Sequence, residues 1–285
     1  MQNPPCASAW GVFSITQRLK VEQPKYKYIY GPVSSWRLRR SLGIDPISSS
    51  EKTCSFDCVY CQAGRTEAFS GERKVFVPTE ALIQELRSLP DVAIDYITFA
   101  GNGEPTLAKN LGEMIRAIKT VRKEKIAVIT NTSLINRKDV AEDLLLADLV
   151  EAKLDASSAE SLKGVNRPMA EILWPDIVEG LKAFRKVYRG HLTLQVMFVA
   201  SNKACAAAIA ALALQIGPDE IEINTPLRVC AVKPLSIEAM EEVTAIFRGV
   251  CGDKIKVRSV YEEKREKSRP FCQPSTERRR GKESE

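Results

Sequence analysis

Three cysteines fall within eight residues, Cys54-Ser55-Phe56-Asp57-Cys58-Val59-Tyr60-Cys61, with a gap of three residues and then a gap of two. That spacing lets one short loop fold its thiolates around a single metal centre, and it presents three ligands rather than four. A [4Fe-4S] cluster held by three cysteines keeps one iron open to a substrate or cofactor, which means chemistry and not electron storage alone. Two readings compete with it: three unrelated buried cysteines, or a structural zinc site completed by a distant cysteine or by His191, the only histidine. Zinc sites more typically show two separated cysteine pairs, whereas Cys6, Cys205, Cys230, Cys251 and Cys272 lie singly. Cys54, Cys58 and Cys61 are therefore the candidate metal ligands and the candidate catalytic residues.

Other polar groups sit where predicted strands end. Gly101-Asn102-Gly103-Glu104 follows one strand directly, and small residues there let the backbone approach a ligand and expose its amides. Such a turn before Pro105 is also a common way to end a strand. Asn131-Thr132-Ser133 ends the next strand, with an ordinary helix cap as the rival role. Lys153-Leu154-Asp155 ends the one after, its alternate side chains on one face, with a surface ion pair as the rival. Arg167, Asn224, Thr225 and Arg228 are further polar candidates. His191 falls at the start of a predicted strand and is read as structural, and the run Leu194 to Val199 as plain core.

The elements that must position these groups alternate between strand and helix. Ser41 to Pro46 reads as a first strand feeding the cysteine loop. Period-two and helical patterns then continue through strands near 96–100, 126–130, 149–154, 192–199, 220–224 and 255–260, separated by helices. Six or seven βα units imply an α/β fold with a parallel sheet, closed as a barrel or partial barrel whose chemistry sits at the strand carboxyl ends. Residues 1–30 read as an N-terminal extension, 31–235 as the catalytic core, 236–261 as a helix and strand completing the domain, and 262–285 as a charged, poorly ordered tail.

The chain of 285 residues carries 42 Lys and Arg against 36 Asp and Glu, a net charge of +6 that favours, without requiring, a polyanionic partner such as RNA. Eight cysteines in this length are too few for a secreted disulfide framework. No run of residues approaches the roughly 20 apolar positions of a membrane span, so no membrane association is expected and the expected compartment is the reducing cytoplasm.

The triad, with the aromatic Tyr60 before its third cysteine, resembles the signature of the radical S-adenosylmethionine (radical SAM) superfamily. More narrowly, Gly31-Pro32-Val33, Arg40 to Ile44, Thr53 to Gln62, Gly101 to Leu107 and Asn224 to Arg228 resemble the branch related to tRNA wyosine synthetases, over about residues 31–235. The resemblance implies a partial (β/α)6 TIM-like barrel and an oxidoreductase or transferase. It implies a [4Fe-4S] cluster on Cys54, Cys58 and Cys61, with S-adenosylmethionine on the fourth iron, cleaved to a radical that abstracts hydrogen from substrate. Asn102, Gly103 and Glu104 would bind the methionine amino group, with Asn102 a departure where many relatives have glycine. Tyr60, Asn131, Ser133, Lys153 and Asp155 would complete the cofactor site, Lys153 toward the carboxylate and Asn131, Ser133 and Asp155 toward the ribose. A flavodoxin- or ferredoxin-type donor would supply electrons. Wyosine-type tRNA modification is one alternative, weakened because only Cys6 precedes the triad where a second cluster needs more cysteines. A non-catalytic zinc- or cluster-binding interaction protein, docking through its basic tail, is the other.

Overall fold

The computed structural model describes residues 26–282. Strands β1 (Ile29–Ser35) and β2 (Arg39–Ile44) form an antiparallel hairpin, and β3 (Thr53–Cys54) and β4 (Ala68–Phe69) pair within the cysteine loop. Then come α1 (Thr79–Arg87), β5 (Tyr96–Phe99), α2 (Leu111–Val121), β6 (Lys125–Thr130), α3 (Lys138–Leu144) and β7 (Leu149–Lys153). The remainder is α4 (Ala159–Val165), α5 (Trp174–Val187), β8 (His191–Met197), α6 (Ala206–Ile216), β9 (Glu220–Asn224), α7 (Ile237–Cys251), β10 (Lys256–Ser259) and α8 (Gln273–Arg280). The main sheet has the order β1-β2-β5-β6-β7-β8-β9-β10, parallel throughout except for the first pair. Its edges, β1 and β10, do not pair with each other, so the sheet curls into an open half-barrel.

The period-two pattern decides which residues face the helices and which face the hollow. Val150, Ala152, Leu192, Leu194, Val196, Ile221 and Ile223 join the core built with Leu111, Ile115, Ile118, Leu181, Phe184, Ile209 and Phe247. The alternate positions, Glu151, Lys153, Thr193, Gln195, Glu222 and Asn224, give the inner face polar character. The β1–β2 turn fills one end of the hollow: Leu38 packs with Ala127 and Leu149, and the Arg37 guanidinium pairs with buried Glu151.

Three features depart from the sequence reading. The first strand precedes Ser41, and its opening residues belonged to the segment read as an extension; the alternation Tyr26-Lys27-Tyr28-Ile29-Tyr30 was already a strand pattern. Residues 1–25 of that extension lie outside the described residues. Helix α4 was not anticipated; it is short and announced only by Ser158, whose side chain caps it. The charged tail is structured as well. Phe271 N–H donates to Gly31 O (2.7 Å), Gly31 N–H to Thr276 Oγ1 (3.1 Å), and Arg279, 1% exposed, pairs with Asp45 at 2.9 Å.

Candidate active site

The cysteine loop leaves the carboxyl end of β2, and two segments clamp it from opposite sides. On one side it is stitched to the glycine-rich turn after β5: Thr53 N–H donates to Asn102 O (3.4 Å) and Glu104 N–H to Thr53 O (3.2 Å). Gly103, at φ +153°, makes this approach possible, since a Cβ there would lie inside the Thr53 carbonyl oxygen. On the other side, Asp57 N–H donates to Asn166 O (3.1 Å), Val59 N–H to Val165 O (2.9 Å) and Met169 N–H to Ser55 O (3.1 Å). Inside the loop Asp57 accepts from Thr66 N–H at 2.7 Å.

Two side-chain amides donate toward the sulfurs. Asn131 Nδ2 lies 3.5 Å from Cys54 Sγ, and Asn166 Nδ2 lies 3.4 Å from Cys58 Sγ. Lys52, 5% exposed, donates to Gly64 O at 2.8 Å. Burial pulls its ammonium pKa down, but Cys61, Cys54 and Cys58 outweigh that and hold it above the usual value. Burial pushes the Cys54 thiol up to about 12, with Glu104 adding to it, and the Cys58 thiol up to about 11, with Cys61 and Asp155 adding. These thiols become thiolates only against a strong positive partner, which an iron-sulfur cluster provides. The amide donors and Lys52 then offset the remaining negative charge, so the donor set fits that group. Among the described residues no three Cys, His, Asp or Glu side chains converge as a single metal ion requires.

The structure brings the other expected residues to the same place in different ways. Glu104, 2% exposed, accepts through Oε1 from Thr106 N–H (3.0 Å), Thr106 Oγ1 (2.8 Å) and Thr130 Oγ1 (2.7 Å), and through Oε2 from Asn131 N–H (2.7 Å). Burial raises its pKa above the usual carboxyl value against these four donors. Asn102 is buried, its Nδ2 3.5 Å from Ser49 O. Lys153 Nζ donates to Gln195 Oε1 (2.8 Å), lies 3.2 Å from Asp155 Oδ1, and stands 4.9 Å above the Tyr60 ring.

Ser133 and Asp155, expected to meet ribose hydroxyls, are engaged within the chain. Ser133 Oγ pairs with Ser55 Oγ at 2.7 Å. Asp155 accepts from Tyr60 Oη, Asn166 Nδ2 (2.8 Å) and Met197 N–H (2.7 Å), and these with Lys153 occupy all of its acceptor positions. Burial, with Asp155 second, drives the Tyr60 phenol well above its usual pKa, so it serves as a donor. His191 is exposed at the start of β8, away from the strand carboxyl ends.

Sequence reasoning missed Lys52, Ser55, Asn166 as a sulfur donor, and Gln195, which had been read as core. The signal for Gln195 was its place in register beside Lys153 on the inner face. Between the cysteine loop, the strand ends and the tail lies a cavity of about 280 Å³, reached by Tyr60, Cys61, Lys153, Gln195, Asn224 and Arg228.

Comparison with known proteins agrees with this geometry. The model of the radical SAM superfamily matches residues 51–204. A UPF0026 protein of Synechocystis is 42% identical over 211 residues, covering 74% of this chain and 78% of that protein. The Streptococcus suis SuiB structure with bound S-adenosylmethionine superposes with a TM-score of 0.58 at 13% identity, over 73% of this chain and 48% of that one. Archaeal TYW1 superposes with a TM-score of 0.53 at 15% identity, over 74% of this chain and 72% of that one. The two likenesses in structure concern the fold. The family match spans more than half of the sequence, and its members are enzymes that use a [4Fe-4S] cluster and S-adenosylmethionine. This chain belongs to the radical SAM superfamily.

Proposed function

We propose that Cys54, Cys58 and Cys61 hold the [4Fe-4S] cluster and that the chain cleaves S-adenosylmethionine reductively, to abstract hydrogen from a substrate bound in the 280 Å³ cavity. The observation that carries this reading is the three-cysteine loop at a strand carboxyl end, with amide donors against Cys54 and Cys58 and a buried lysine beside all three thiols. When bound, the cluster supplies one electron that breaks the C5′–S bond of S-adenosylmethionine, giving methionine and a 5′-deoxyadenosyl radical. A flavodoxin- or ferredoxin-type protein is the electron donor of this proposal.

The chain's own residues orient and enclose that reaction. Glu104 keeps an acceptor position on Oε2 for the methionine amino group, beside the backbone of Asn102 and Gly103. Lys153 would pair with the cofactor carboxylate, and Asn131 would hydrogen-bond the ribose. Asp155 and Ser133 act as positioning residues: Asp155 fixes Tyr60, Asn166 and Lys153, and Ser133 fixes Ser55.

Anaerobic reconstitution followed by dithionite and S-adenosylmethionine tests the reading. About four irons and four sulfides per chain are expected, with 5′-deoxyadenosine as product. Cys54→Ser, Cys58→Ser and Cys61→Ser should each abolish the product while Cys205→Ser leaves it. A fully reconstituted protein that leaves S-adenosylmethionine intact overturns the assignment.

A further inference from the structure

Two side-chain amides on the inner face of the sheet are each held in one orientation. Lys153 Nζ donates to Gln195 Oε1 at 2.8 Å, and Thr225 N–H donates to Asn224 Oδ1 at 2.9 Å. An ammonium and a backbone N–H can only donate, so each amide must turn its oxygen to that partner and its NH2 group away from it. Gln195 and Asn224 are 3% and 8% exposed, and both line the central cavity. Among the described residues no acceptor takes a hydrogen from Gln195 Nε2 or Asn224 Nδ2.

The two amides are neighbours in the fold. Gln195 of β8 pairs in register with Glu222 of β9, and Asn224 lies two residues further toward the carboxyl end on the same face. With strands about 4.8 Å apart and a rise of about 3.3 Å per residue, their backbones stand about 8 Å from each other, close enough for one small molecule to meet both side chains. Trp36, Leu38, Met197 and Val260 give the same cavity an apolar wall. An apolar wall with a few fixed polar groups is the arrangement that orients a small ligand. The N–H groups of Gln195 and Asn224 cost free energy there until an acceptor reaches them.

We propose that Gln195 Nε2 and Asn224 Nδ2 select the substrate, donating to carbonyl or carboxylate oxygens of a small molecule whose body lies against Trp36 and its apolar neighbours. This rests on the reading that the cavity receives the substrate. The same two groups disfavour a ligand that presents N–H groups to them, because donors that meet donors are left unpaired away from water.

The test is ligand-observed saturation-transfer NMR on reconstituted full-length protein without reductant, with benzamide, benzoate and benzylamine as probes and S-adenosylmethionine present at saturation. The probes share a ring and a size; the first two offer acceptor oxygens, and benzylamine offers only donors. Wild type should bind benzamide or benzoate about tenfold or more tightly than benzylamine, and the preferred one assigns a carbonyl or a carboxylate. Gln195→Met/Asn224→Leu keeps the side-chain volumes, removes both donors and should erase the preference. Gln195→Glu/Asn224→Asp keeps the oxygens that Lys153 and Thr225 need, replaces the donors by acceptors and should turn the preference to benzylamine. A merely structural role would weaken all three probes together. Wild type without the preference, a uniform loss in the variants, a preference that survives both substitutions, or displacement of the probe by S-adenosylmethionine overturns the proposal. Cleavage of S-adenosylmethionine, assayed separately, reports on the radical function whatever the probe result.

Discussion

Asn166 holds Cys58 through its side-chain amide, Nδ2 to Sγ at 3.4 Å, and the same nitrogen lies 2.8 Å from Asp155 Oδ2 and 3.0 Å from Tyr60 Oη. One amide thus ties a proposed cluster ligand to the network that carries Lys153. Asn166→Ala removes the sulfur's donor and leaves Asp155 short of a partner in a buried setting, at a cost of about 1–3 kcal/mol. The expected outcome is a lower melting temperature and fewer irons per chain after reconstitution, and a variant with wild-type values for both would show that the contact is dispensable.

Gly103 faces Thr53, one residue before the first cysteine of the loop. Its φ of +153° and the absence of a Cβ are both needed for Glu104 N–H to reach the Thr53 carbonyl. Gly103→Ala should displace the loop and cost about 2–4 kcal/mol. Iron and sulfide analysis should show little cluster, with the defect greater than in Gly164→Ala, where an added Cβ meets nothing within 4 Å.

Acid should expose a different part of the frame. Arg73, buried, pairs with Asp139 at 2.9 Å and with Asp143, fastening the segment after the cysteine loop to α3. Burial pushes the Asp139 carboxyl up, but hydrogen bonds from Arg137 and Arg73 outweigh it and hold the pKa at about 2. A carboxyl held below its unfolded value of about 3.9 contributes stability that is fully present above that pH and is lost as pH falls toward 2. The difference in urea midpoint between wild type and Asp139→Asn should therefore shrink from pH 5 to pH 2.5, the other carboxyls cancelling between the two. A constant difference would place the Asp139 contribution elsewhere.

Local pattern made much of this molecule legible. The cysteine spacing, the Gly101–Glu104 turn and the period-two apolar runs are properties of neighbouring residues, so the half-barrel and the ends of its strands followed from them. Asn166 was passed over beside Arg167 because its partner Cys58 is 108 positions away, and nothing in Val165-Asn166-Arg167 shows a sulfur acceptor. Lys52 reads as an ordinary surface lysine until the loop folds the three thiols around it. The tail misled for the same reason. A run as polar as Glu277-Arg278-Arg279-Arg280 looks solvated when the carboxylate that receives Arg279 is 234 positions upstream.

That pairing gives the tail a measurable energy. Arg279 and Asp45 are almost wholly buried, at 1% and 0% side-chain exposure, and Arg279 also donates to Ser275 Oγ (2.6 Å) and to the Lys27 carbonyl. Arg279→Met keeps most of the side chain's volume but leaves Asp45 as a buried carboxylate without its cation, a change of about 3–5 kcal/mol. The variant should melt lower than wild type, and limited trypsin digestion should release the segment after Lys267 before the barrel is cut. Asp45→Asn with Arg279→Met removes both charges together and should recover part of the lost stability, because it is the unpaired carboxylate, more than the missing pair, that carries the cost. If instead the double variant is as unstable as the sum of the two single ones, the pair is not coupled and the tail is held by its backbone contacts to Gly31 and Val229.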